Sequence, residues 1–100
     1  RQTVNRNLLE RRLSELSAQL RELRRELILA DEQLASLAGE ADDARLRSLV
    51  SETPLAEREH REAARHAEAM GRHRNEVMAD IARLEQQQDE LLDRLNERPE

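Results

Sequence analysis

The sequence predicts an all-α protein: an antiparallel coiled-coil helical hairpin, with a kink or a short extra helix at its turn, that dimerises into a four-helix bundle. Three observations carry this. Leucines recur at heptad spacing in the first half, a Thr-Pro break sits near the middle, and charge is distributed in complementary blocks. Hydrophobic residues at alternating steps of three and four mark a helix with one apolar seam.

Composition sets the frame. The chain has 100 residues, 39% of them charged, and no Phe, Tyr or Trp, so a globular core built on aromatics is excluded. A chain this polar suits disorder when its apolar residues are scattered, but here they are periodic. All 17 basic residues are Arg, a bias that fits a GC-rich bacterial genome better than selection for guanidinium chemistry. Without Cys there is neither a disulfide framework nor thiolate chemistry. The longest apolar run, Leu27-Ile28-Leu29-Ala30, is far too short to span a membrane. The expectation is a soluble, cytoplasmic chain.

The first arm is expected over about 5–38 of a single 1–100 hairpin. Its seam falls at positions 9, 13, 16, 20, 23, 27, 30, 34 and 37, eight Leu and one Ala. Leu8, Ile28 and Leu29 lie off this seam and widen the stripe, as in a helix that touches more than one neighbour. After Leu37 the pattern is expected to break. Gly39 suits a helix end, Asp42 and Asp43 suit a new start, and Leu46, Leu49 and Val50 are out of phase, so residues 40–52 are expected as a kink or short helix.

The second arm, about 54–98, begins where Thr53 can cap and Pro54 can take the first helical position, whose N–H has no partner in any helix. Its heptad reads 63, 67, 70, 74, 77, 81, 84, 88, 91 and 95, apolar except at Arg74 and Gln88. Gly71 weakens it by about 1 kcal/mol relative to Ala. Pro99 is expected to end it. The expected oligomer seam consists of Leu13, Leu16, Leu20, Leu23, Leu27 and Leu34 from the first arm, with Val77, Ile81, Leu84, Leu91 and Leu95 from the second.

Charge chooses the orientation. Residues 1–25 carry net +4, 26–57 net −6, 58–74 net +2 and 75–100 net −5. Reversing the chain near residue 53 sets residue i opposite roughly 107 minus i, and each block then faces one of opposite sign. A parallel pair would stack each block on its own copy. Exposed pairs contribute only ~0–1 kcal/mol each, so the blocks set orientation more than stability. An arm of this length leaves much of its surface in water, which motivates the expected self-association.

Candidate chemistry is sparse. His60, His66 and His73, with Glu62 and Met70, invite a metal reading, but the His are six and seven residues apart rather than the i, i+4 of zinc helices, and no metal or other cofactor is expected. Arg58, Arg61, Arg65 and Arg72 form a ridge at steps of three, four and seven, a candidate contact for a partner or anion; the competing reading pairs it with Glu40, Asp42, Asp43 and Glu52. Arg11, Arg12, Arg21, Arg24 and Arg25 form a second patch. Nucleic acid is disfavoured by a net charge of −5 and the lack of stacking aromatics. No phosphate loop and no nucleophile beside a base is present, so no enzyme is expected.

Glu76, Asp80, Arg83, Gln87 and Leu91 follow the spacing Glu-x3-Ser-x2-Arg-x3-Gln-x3-Asp. In this they resemble two-helix anti-sigma factors that bind a cyclic dinucleotide through that motif. Glu, Arg and Gln match, while Asp80 and Leu91 replace its Ser and Asp, and the first arm has no copy. The resemblance implies a hairpin that sequesters a transcription component or binds a nucleotide ligand. The residues themselves point first to a non-enzymatic scaffold or protein–protein interaction module, with protein partners that include its own copies.

Overall fold

The structure, a computed structural model, describes residues 2–97, with side chains from residue 5 onward. Two helices pack against each other as a hairpin: α1, Gln2–Ser51, and α2, Pro54–Asn96. No strand occurs among the described residues. Pro99 lies outside them.

Helix α1 does not end at Gly39. It continues to Ser51, so the short extra helix expected over 40–52 does not form. The seam passes through this region on small residues: Ala41 and Ser48 are half-buried and Ala44 is buried, at steps of four, three and four beyond Leu37. Leu46, Leu49 and Val50, expected to open a new phase, stay exposed on the outside of the same helix. A mid-helix glycine costs only about 1 kcal/mol, less than continued seam packing returns. No glycine takes a positive φ.

The left-handed residue is instead Glu52, at φ 51°, immediately past the end of α1. Its N–H donates to the Ser48 carbonyl at 3.0 Å, closing the last turn, and the chain reverses through Glu52 and Thr53 alone. Thr53 then caps α2: the Ala56 N–H donates to its Oγ1 at 3.1 Å and the Glu57 N–H to its carbonyl at 3.1 Å. Pro54 follows at the first helical position, where it forfeits no hydrogen bond.

The chain divides into two compact units. In the first, Arg1–Glu26 with Val77–Glu100, the core is Leu16, Leu20 and Leu84, at 0%, 1% and 6% exposure, with Leu23, Ile81 and Leu91 packed against it. In the second, Leu27–Glu76, the buried residues are Ala30, Ala44 and Ala56, with Leu34, Leu37, Ala63, Ala67 and Met70 half-buried. Leu13, Leu16, Leu20, Leu23, Ile81, Leu84, Leu91 and Leu95 thus line the helix–helix face of a single chain, as do Leu27, Leu34 and Val77 in their own units.

Two stability changes should be readable by urea denaturation. Leu20→Ala should cost about 3 kcal/mol, because a fully buried leucine leaves a cavity, whereas Leu49→Ala, at a site 62% exposed, should cost under about 0.5 kcal/mol. Glu52→Gly should raise stability by about 0.5–1 kcal/mol, since the left-handed conformation is free to glycine and Glu52 also sets a negative charge at the negative end of α1. A loss of stability in that variant would contradict the described turn.

Candidate interaction surfaces

Within each unit the seam follows one rule. In sequence, seam position i of α1 mirrors position 104 minus i of α2, which relates Leu20 to Leu84, both in the core of the first unit, and Ala44 to His60 in the second. The cross-helix contacts fall on either side of the expected register near 107 minus i: the residue numbers sum to 105 for Ser17–Gln88 and for Asp31–Arg74, and to 109 for Arg24–Glu85.

In each unit a polar side chain at a seam position makes a contact across to the other helix. In the first, the Gln88 amide donates to Ser17 Oγ at 3.3 Å. In the second, the Arg74 guanidinium donates to Asp31 Oδ1; Arg74 remains 33% and Asp31 49% exposed, so the pair sits at the edge of the seam rather than in a dry core. Arg24 and Glu85 form another cross-helix pair, at 3.1 Å, in the first unit. These contacts join basic and acidic blocks of opposite helices. Other pairs run along one helix, such as Arg6–Glu10 at 3.2 Å, Arg12–Glu15 at 3.5 Å and Arg25–Glu22 at 2.5 Å.

Outside the seam, the second unit carries two features of note. Ile28, Leu29, Leu46, Leu49 and Val50 lie on the face of α1 turned away from α2, at 60%, 58%, 53%, 62% and 85% exposure. Leu55, at 64%, stands beside the reversal. Arg58, Arg61, Arg65 and Arg72 are all exposed on the opposite side of the unit, on the face of α2 turned away from α1. Among the described residues none of these four arginines is in an ion pair, so the pairing with Glu40, Asp42, Asp43 and Glu52 does not form; heptad geometry points the ridge outward.

The remaining candidates are weaker. A shallow groove in the first unit is lined by Arg12, Gln19, Glu22, Leu23, Asp80, Arg83, Leu84 and Gln87. Asp80, Arg83 and Gln87 of the anti-sigma spacing line it together, but Leu91 packs against the leucine core instead. Its arginines are already engaged, Arg12 by Glu15 and Arg83 by Asp80 at 3.4 Å. His60 and His73 are half-buried and His66 is exposed. Among the described residues no group of three or more His, Asp or Glu is placed to hold a metal ion, and no helix is long and apolar enough to cross a membrane.

Ile28 and Leu29 were legible as off-seam residues. Leu46, Leu49 and Val50 were not, because their partnership with Ile28 and Leu29 depends on α1 being continuous. The available signal was their separation: Ile28-Leu29 and Leu49-Val50 are 21 residues apart, three whole heptads, which returns them to one face of an unbroken helix.

Comparison with family models, with curated proteins and with solved structures returns no match.

The polar seam layer gives a clear test. Arg74→Leu should raise stability by up to about 1 kcal/mol, since a leucine at this half-buried seam position adds apolar burial. Asp31→Ala should lower it by up to about 1 kcal/mol by leaving Arg74 unpaired. Chemical denaturation of both variants distinguishes this from a purely solvated pair, for which neither change would register.

Proposed function

We propose that this hairpin is a non-enzymatic scaffold that binds protein partners, other copies of itself among them, in the cytoplasm of a bacterium. The observation that supports this most is the apolar outer face of α1 in the second unit. After the hairpin has closed, five large aliphatic side chains on one helix face remain more than half exposed. Isolated exposed leucines are ordinary; several on one face mark an interaction surface, because each loses about 1.5–3 kcal/mol of available burial while it stays in water. The cost of keeping such a face is aggregation risk, which a binding role offsets.

A second reading rests on the Arg ridge. Four outward guanidinium groups without ion pairs suit an acidic protein surface, as in a regulator of a transcription component, or a phosphate-bearing nucleotide ligand. The two readings use opposite faces and can be separated in one experiment. Affinity capture from the source cells with the unaltered chain should retain a defined set of proteins. That set should be lost with Leu46→Asp combined with Leu49→Asp and kept with Arg61→Glu combined with Arg65→Glu. The reverse result would transfer the function to the ridge, and an identical set from all three baits would remove both faces from consideration.

A further inference from the structure

We infer that the outer face of α1 in the second unit is a two-fold self-association site, in which a second copy of this chain packs antiparallel with Gly39 at the symmetry axis. This rests on the interaction-module reading and names the partner and register of its apolar face.

The residues on that face are self-complementary. Ile28-Leu29 and Leu49-Val50 stand symmetrically about Gly39, eleven and ten residues to either side, or about 16 Å along the helix. An antiparallel pairing that puts residue 39 on the axis sets residue i of one copy beside residue 78 minus i of the other. Ile28 then meets Val50 of the second copy and Leu29 meets Leu49, each contact occurring twice by symmetry. Leu46 stands level with Glu32 of the second copy, between its Leu29 and Ala35. At the axis stands Gly39, where an added Cβ would meet nothing within 4 Å of its own chain, and beside it the small Ala35 and Ser36 of one copy face Asp43 and Asp42 of the other. The two α1 backbones can therefore approach closely.

Charge selects this pairing over the alternative. A parallel pairing would also stack the aliphatic pairs, but it would place Glu32, Asp42 and Asp43 each on its own copy. The antiparallel register sets Asp42 and Asp43 beside Ser36 and Ala35, neutral residues of which Ser36 can donate a hydrogen bond. It sets Glu32 beside Leu46 of the second copy, so none of these three acidic residues meets another acid. The area is adequate as well. Removing five aliphatic side chains from water at roughly 100 Å² each gives about 500 Å² per copy, or about 1,000 Å² in all, the threshold of a specific interface.

Sedimentation of the full chain should show a reversible monomer–dimer equilibrium in the micromolar range. Leu29→Glu with Leu49→Glu should weaken it by at least about 100-fold while the circular dichroism stays helical, because both sites are exposed in the hairpin. The register is read separately by disulfide trapping, which the absence of native cysteine makes clean. Ala35→Cys mixed with Asp43→Cys should give a cross-linked heterodimer. Either variant alone should not, since like positions lie about 12 Å apart in this register. A monomer at all concentrations overturns the proposal and leaves partner capture intact. So does a dimer indifferent to the glutamate pair, or one in which each cysteine variant cross-links with itself, the signature of parallel packing.

Discussion

The organising constraint of this protein is that its two seams are mirror images in sequence. Steps of four and three run from Leu9 to Ser48 on α1 and from Ala56 to Leu95 on α2. Because a hairpin brings residues together in reverse order, knobs of one helix meet holes of the other only if the reversal is centred on the mirror point. That point falls at residue 52, and the chain turns there in two residues. A longer loop would slip the register, displacing seam residues from their partners. Glu52 accepts a left-handed backbone for this reason: the packing of two long helices over-determines its conformation, and a local strain of order 1 kcal/mol is small beside it.

The polar layers refine the same constraint. Leucine contacts tolerate a shift of one heptad, since another leucine replaces the first. Ser17 with Gln88 and Asp31 with Arg74 do not, because a shifted register strands a hydrogen-bonding group against an apolar neighbour. Each unit contains one such layer, so each has its own register key. The Leu-rich unit gains its stability from side-chain burial. The Ala-rich unit buries less apolar volume per layer, and its helices depend more on intrinsic propensity, which Ala, Glu and Arg supply.

The helical class, the two arms and the start of α2 could be read from sequence because leucine periodicity and a Thr-Pro pair are strong, local signals. The passage through Gly39 could not. Ala41, Ala44 and Ser48 hold correct seam positions, yet a small residue adds little to a hydrophobic pattern, while the larger Leu46, Leu49 and Val50 suggest a different phase. Gly39 also has two readings, helix end or helix interior, and the tertiary seam decides between them. The candidate surface was hidden by the same ambiguity, since a helix broken at 39 has no common face for Ile28 and Val50. The Arg ridge was visible as a pattern, but whether it faced the acidic arm or solvent depended on heptad position, which the arginines themselves do not encode.

Continuity of α1 through residues 40–50 is therefore both a folding and a functional property. Breaking the helix at Gly39 would leave the leucine core of the first unit untouched, since Leu16, Leu20 and Leu84 belong to other segments. It would scatter the exposed aliphatic residues of the second unit onto unrelated faces. A partner that binds those residues binds only the continuous form, and so stabilises it by RT ln(1 + [L]/Kd), about 2.7 kcal/mol at a hundredfold excess over Kd. That is comparable to what one buried leucine contributes, and it would act on the unit whose own seam is thinnest. A glycine on that face fits such a site: it weakens the helix alone by about 1 kcal/mol, which binding more than offsets, and it opens room for a second backbone.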